Sequence, residues 1–285
     1  MSLPDEGRLR KAFRTSAWLS SNTSMGNNWV CYPWVARGCI TLLSGSAKGG
    51  GKTTFLHHMV KAIMAGSTFL DADGQTEQSP VVYVTEEGDQ TFVEAARRNK
   101  IDRARGLHVL TLPRASGDLG QMPNWPELIR ETFAYAREIS SRLVVIDTFA
   151  QFSGLAGEQE NQAAAILQAL SPLKGQMTNE LAVIIVHHDG KSEKSVEYSS
   201  RGSSALPGAV DIIMRIRQHT TEKKEKISDK DRANMTKLEI IKAENAHLSK
   251  NETMRVVETK GRLTGLYNFC VVELDPVKGY VMVDK

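Results

Sequence analysis

Ser44-Gly45-Ser46-Ala47-Lys48-Gly49-Gly50-Gly51-Lys52-Thr53-Thr54 is the stretch on which the reading of this chain turns. An apolar run, Cys39-Ile40-Thr41-Leu42-Leu43, precedes it, and Phe55-Leu56-His57-His58-Met59-Val60-Lys61-Ala62-Ile63 follows. Strand, glycine-rich loop and helix in that order are the context a phosphate-binding loop requires. Glycines let the backbone curl so that successive N–H groups converge on an anion, and the helix N-terminus adds its positive end. The expected nucleotide-binding residues are therefore Ser46, Ala47, Lys48, Gly49, Gly50, Gly51, Lys52, Thr53 and Thr54. Lys52 would reach the β- and γ-phosphates of ATP, and the Thr53 hydroxyl would ligate Mg²⁺. One position departs from the usual G-x-x-x-x-G-K-[ST] spacing: Ser46 stands where the first glycine belongs, and Gly45 falls one residue early. Either Ser46 takes the turn into the loop or the loop is one residue longer than usual. A flexible glycine linker is not flanked by a buried strand and an amphipathic helix, so the stretch reads as a nucleotide site.

Outward from the loop, the pattern is that of an α/β protein. Gly66 is placed to cap the loop helix. Val81–Val84 is a short buried-type strand followed by Thr85-Glu86-Glu87-Gly88-Asp89, then a helix with Phe92, Val93 and Ala96 at helical spacing. His108–Leu112 reads as a strand, Trp125–Ile139 as a helix, Leu143–Thr148 as a strand, and Glu158–Leu170 as a helix. Ala182–Val186 is a further strand, ending in His187-His188-Asp189. Continuous β-branched strands alternating with helices predict a mainly parallel sheet covered on both faces, with ligands at the carboxyl ends of the strands. Beyond Asp211 the character changes. Ile212–Ile216, Lys237–Lys242, Thr253–Glu258, Asn268–Glu273 and Gly279–Val283 read as strands, the later ones antiparallel, extending the core at the C-terminal side. Glu222–Arg232 is a mixed-charge run, read as an exposed loop or hairpin tip.

Upstream, residues 1–28 read as an N-terminal helix and linker, with a short amphipathic helix around Glu6–Phe13 and a Ser- and Asn-rich remainder. The ATPase domain is expected to span residues 29–285, with Trp29, Tyr32 and Trp34 packing on its edge. At 285 residues, 41% apolar and 24% charged, the chain can bury a large core. A net charge of +3 is too small to argue by itself for nucleic acid. Three cysteines without metal-ligand spacing suggest reduced thiols in a cytoplasmic protein, and no apolar run has the length to span a bilayer.

Polar residues fall at the strand ends. Asp147, after four apolar residues, has the form of the aspartate that holds Mg²⁺ opposite Thr53. Thr148 follows it where a glutamate could have stood, so the carboxylate that activates water has to come from another strand, and Glu86 and Glu87 are the candidates. Adjacent histidines on a strand point to opposite sides, so only one of His187 and His188 can face the nucleotide. A polar sensor of the γ-phosphate is preferred there to a zinc site. Gly190–Ser200 carries Lys191 and Lys194, and Arg201 then precedes Gly202-Ser203-Ser204-Ala205-Leu206, the start of a short helix.

This series of loop, Glu-Glu, Asp-Thr, His-His and Ser-Arg-Gly-Ser-Ser-Ala-Leu resembles the RecA-like P-loop ATPases of the RepA branch, AAA-type in the broad sense, which includes a hexameric plasmid replicative helicase. The resemblance covers roughly residues 29–285. It implies that Glu87 activates water and that His188 is the γ-phosphate sensor. The loop at 189–200 would face a central channel for single-stranded DNA. Arg201 would enter a neighbouring subunit's site, and Lys242, in Lys242-Ala243-Glu244-Asn245, would approach a neighbour's nucleotide. The implied function is a Mg²⁺-dependent ATPase, a homo-oligomer in the form of a hexameric ring, coupling hydrolysis to translocation on DNA or its unwinding. An ATP-gated DNA-binding or regulatory oligomer without unwinding activity is the alternative, and a small-molecule kinase is weaker, since nothing resembles a lid of clustered arginines.

Overall fold

A computed structural model of the protein describes residues 13–22, 28–46, 50–70, 76–117, 123–188, 205–219, 236, 253–263, 266 and 269–284. The described residues begin with α1 (Ser16–Asn22) and a two-stranded antiparallel ribbon, β1 (Trp29–Cys31) and β2 (Val35–Ala36). The parallel core follows: β3 (Ile40–Gly45), α2 (Lys52–Ala65), β4 (Val81–Thr85), α3 (Asp89–Arg98), β5 (Leu107–Thr111), α4 (Leu112–Gly117), α5 (Trp125–Glu138), β6 (Leu143–Asp147), α6 (Phe149–Ser153), α7 (Ala163–Gln176), β7 (Ala182–His188), α8 (Ala205–Ala209) and β8 (Ile212–Gln218). Three antiparallel strands complete it, β9 (Met254–Gly261), β10 (Phe269–Asp275) and β11 (Gly279–Asp284).

The main sheet runs β11-β10-β9-β8-β3-β7-β6-β4-β5. From β8 to β5 every pairing is parallel, and from β8 to β11 every pairing is antiparallel. This is the expected doubly covered parallel core with an antiparallel extension. Its strands are buried on both faces because successive side chains enter different cores. In β4, Val81 and Tyr83 pack with Phe55, Leu56 and Phe92 of α2 and α3. Val82 and Val84 pack instead with Ile129, Phe133 and Leu170 of α5 and α7.

Local chemistry sets the helix ends. Gly66 is left-handed at φ 62°, and the backbone there donates back to Ala62 and Ile63, closing α2 as expected. The Asn124 side chain caps α5 by accepting from the Glu127 N–H at 3.0 Å, with Pro126 in the first turn. At the amino ends of the strands, Arg142 bridges Glu77 at 3.3 Å and Glu180 at 2.9 Å, and Arg37 joins the same two acids. That network lies at the opposite end of the sheet from the phosphate loop.

Several sequence expectations are corrected. The segment after Phe13 is not all linker, since Thr15 starts α1 by accepting from the Trp18 N–H at 3.1 Å. Trp34 is no edge residue: it is fully buried against Phe55 and Phe69. Val93 is 38% exposed, and Ala95 takes its expected place beside Phe92 and Ala96. The helix expected at Glu158–Leu170 is a 3-10 turn over Gly157–Asn161, an extended Gln162, and then α7 as far as Gln176. The expected helix at Glu6–Phe13, the strand Lys237–Lys242 and the run Glu222–Arg232 lie wholly or mainly outside the described residues.

Candidate active site

The phosphate-loop stretch joins β3 to α2, and its parts have separate reasons to be as they are. Gly45 belongs to the strand: a Cβ there would lie 2.5 Å from the Ile216 carbonyl oxygen on paired β8. That close approach explains a glycine one position early. A Cβ on Gly50 would lie 2.9 Å from the Ser46 carbonyl oxygen. Gly51 caps α2 in the left-handed region at φ 85°. Lys52 is the first residue of α2 and only 7% exposed. Its Nζ donates to the carbonyls of Gly45 at 2.9 Å and Ser46 at 2.6 Å, so the ammonium is held at the end of β3. Thr53 and Thr54 are half-buried on the first turn.

Strand order brings the other polar residues to the same end. β7, β6 and β4 follow β3 across the sheet. In register, His187 lies opposite Ser44 and His188 opposite Gly45, so the His-His pair closes the strand beside the loop. His187 is buried, and His188, at the end of the strand, is half-buried. Asp147 lies opposite Thr85, with Glu86 and Glu87 immediately beyond.

The three acids occupy different environments. The Tyr83 hydroxyl donates to Asp147 Oδ2 at 2.8 Å. Burial, with the charges of Glu87 and Glu86, pushes the Asp147 carboxyl up to about 6, against the Tyr83 hydrogen bond and the Lys52 charge. Glu86 is committed to structure. Its Oε2 accepts from Thr148 Oγ1 at 2.8 Å, and its N–H donates to the Asp147 carbonyl at 2.7 Å. Glu87 Oε2 is buried and has no hydrogen-bond partner among the described residues. Burial, followed by the charge of Glu86, raises the Glu87 carboxyl above its ordinary value, while Arg98 draws it back. A half-buried carboxylate with spare acceptor capacity beside a second carboxylate can take a proton from water.

The donor set fits Mg²⁺. Asp147 and Thr53 offer hard oxygens, and a divalent cation would offset both the burial that chiefly raises Asp147 and the smaller push of the Glu87 and Glu86 charges. Sequence reasoning missed Tyr83, whose contact with Asp147 crosses between paired strands, and Thr148, which fixes Glu86. It also missed what packs against Gly51. A Cβ on Gly51 would lie 2.8 Å from the Tyr280 hydroxyl and 3.0 Å from Arg255 Nε, residues of β11 and β9 with no local signal connecting them to the loop. Ala47, Lys48, Gly49, Lys191, Lys194, Arg201 and Lys242 lie outside the described residues, as does the 189–200 loop.

Compared with known families, residues 8–194 match the AAA domain. The chain belongs to the AAA domain family. No curated protein sequence matches it significantly. Among solved structures, it is similar to a KaiC-like protein from the hyperthermophilic archaeon Pyrococcus horikoshii OT3. The TM-score is 0.56 at 13% identity, covering 92% of this chain and 99% of the other. At that identity the likeness concerns the fold, a RecA-like core, and the family places a P-loop ATPase on it. Among the described residues no helix is long and apolar enough to cross a membrane.

Proposed function

We propose that the protein is a cytoplasmic, Mg²⁺-dependent ATPase that assembles into a ring, a hexamer, and couples ATP hydrolysis to translocation on, or unwinding of, DNA. The observation that carries the hydrolytic reading is the division of labour between neighbouring acids: Glu86 is bound to Thr148, whereas Glu87 keeps a buried oxygen without a partner. Glu87 is the general base that takes a proton from the attacking water. Lys52 holds the β- and γ-phosphates, with the loop N–H groups around them. Tyr83 holds Asp147, and Asp147 with Thr53 holds the metal. Bound there, Mg²⁺ supplies neutralisation of charge on the phosphate oxygens. His188, beside Gly45, senses the γ-phosphate, and Arg201 and Lys242 act on a neighbour's nucleotide. The ring and the DNA substrate rest on the resemblance to the RepA branch, with Lys191 and Lys194 contacting phosphates in a salt-sensitive way.

The test is ATP hydrolysis with and without single-stranded DNA, alongside mass by light scattering. Glu87→Gln should bind ATP and lose ~10²–10⁴-fold in turnover, the usual worth of general-base catalysis. Glu86→Gln should lose less; the reverse order would overturn the assignment of Glu87. Single strands should stimulate wild-type turnover, and replacing Lys191 and Lys194 by alanine should remove the stimulation while basal turnover remains. An oligomer that hydrolyses ATP but binds no DNA at low salt would be the regulatory switch instead of the motor.

A further inference from the structure

One face of α2, the end of α3 and the turn between β10 and β11 enclose a cleft of about 190 Å³. Lys61 lines it from α2, Arg98 and Lys100 from the end of α3, and Lys278 from the turn, and all four are exposed. Thr54, on the first turn of α2, borders the cleft, but Lys52, Glu87 and Asp147 do not line it.

The cations of this cleft are not neutralised. Asp275 is the one acid among its lining residues, and its Oδ1 accepts from the N–H groups of Val277 at 2.8 Å and Lys278 at 2.7 Å. Among the described residues no carboxylate forms an ion pair with Lys61, Arg98, Lys100 or Lys278, whereas the adjacent Arg97 reaches Asp102 at 3.8 Å. The pull of Arg98 on Glu87 acts without an ion pair between them. The negative end of α3 accounts for the sign of Arg98 and Lys100. Lys61 stands inside α2 and Lys278 on a turn, where no helix end calls for a cation. The wall that carries Lys278 is also fixed in place. The Tyr280 N–H donates to His58 Nδ1 at 3.2 Å, and a Cβ on Gly279 would lie 2.9 Å from the His58 ring.

Three ammonium groups and a guanidinium around a small polar cleft suit phosphate, which a guanidinium meets with paired hydrogen bonds and an ammonium as a point charge. The one ring on the wall, His58, is already engaged edge-to-face by Tyr280 at 5.6 Å, which leaves no stacking platform for the bases of a single strand. We propose that this cleft binds a polyphosphate group, at a site separate from the phosphate loop. The group is either a free inorganic chain or the tail of a second nucleotide.

Calorimetric titration of the full chain with inorganic tripolyphosphate, in the presence of EDTA, tests it. Wild type should bind two molecules per chain, one at the loop and one in the cleft, and Lys61→Glu with Lys278→Glu should bind one. Lys52→Ala should keep the cleft site. In that background Lys61→Glu with Lys278→Glu should weaken binding roughly 100-fold, about tenfold for each charged contact, and Lys61→Arg with Lys278→Arg should preserve it. Both positions are exposed, so circular dichroism should be unchanged. ATP added to the Lys52→Ala chain separates the sources: affinity equal to that of tripolyphosphate marks a nucleotide tail, and binding of tripolyphosphate alone marks a free chain. The count in wild type against that in the Lys61/Lys278 variant decides the matter even where Lys52→Ala fails to fold. One molecule per chain in both would overturn the cleft and leave the phosphate loop standing. A single-stranded oligonucleotide that outcompetes tripolyphosphate on the Lys52→Ala chain, and is released by Lys61→Glu with Lys278→Glu, would overturn it in favour of a nucleic-acid path.

Discussion

His57 and His58 lie side by side on the loop helix, and both are held neutral well into acid. Burial lowers His57 to about 4, outweighing the opposite pull of the Ala95 carbonyl, and His58 and Arg98 add smaller pushes in the same direction as burial. Burial and Lys61 bring His58 to about 4 as well. Between about pH 6.5 and 4 the unfolded chain takes up protons at these rings that the native protein refuses, so stability falls as pH falls. Asp147 works the other way. The native carboxyl keeps its proton up to about 6 while the unfolded one releases it near 3.8, so acidification over that range favours the native state. Two histidines oppose one aspartate. The nucleotide-free protein should therefore melt at a lower temperature at pH 5 than at pH 7. His58→Gln should shrink that difference, and Asp147→Asn should widen it because the opposing contribution is gone. Thermal denaturation at the two pH values, wild type beside each variant, checks all three signs.

At the scale of elements, the pairing of β3 with β8 decides how the phosphate loop begins. Gly45→Ala would place a methyl 2.5 Å from the Ile216 carbonyl oxygen, and backbone on both strands would have to give way. The expected cost is ~1–3 kcal/mol of stability, the range for overpacking. Nucleotide affinity should fall further, because Lys52 is held by the Gly45 and Ser46 carbonyls at this same point. Urea denaturation and fluorescent-nucleotide titration on the same preparation separate the two effects. The strands themselves were legible, since runs such as Leu143-Val144-Val145-Ile146 bury both faces and no helix of that length would. The contacts between strands were not. Tyr83 meets Asp147 across 64 residues of sequence, and Thr148 meets Glu86 across 62, so register, not local pattern, makes them partners. α1 escaped reading for the opposite reason: Ser16-Ala17-Trp18-Leu19-Ser20-Ser21-Asn22 is polar and short, and its start depends on one Thr15 hydroxyl.

For the whole molecule, the order β3-β7-β6-β4 gathers Lys52, His188, Asp147 and Glu87 at one end, as residues ending adjacent strands must be. The sequence alone made that end readable because each strand stops at a polar residue. Arg201 tests whether the catalytic unit is larger than one chain. If Arg201 acts in a neighbour's site, as proposed, its removal should leave ATP binding nearly normal and slow turnover by ~10³–10⁵-fold, the range for an arginine supplied in trans. Mixing Arg201→Ala with Lys52→Ala chains should restore part of the activity, since some interfaces would join an intact loop to an intact arginine. Turnover measured across mixing ratios should pass through a maximum. A flat response, or full activity in Arg201→Ala alone, would exclude action between subunits.

The packing against Gly51 carries a consequence for synthesis. The loop is complete by Thr54, yet the Tyr280 hydroxyl and Arg255 that pack against Gly51 at its end belong to β11 and β9. More than 200 residues separate Thr54 from Tyr280, and at ~5–20 residues per second this interval takes ~10–45 seconds on the ribosome. Throughout that time the nascent chain holds Gly51 without the packing it has in the finished fold. Capture of ATP should therefore come late, after the last strand has left the exit tunnel, and chains arrested before Tyr280 should be retained by immobilised ATP less well than released ones.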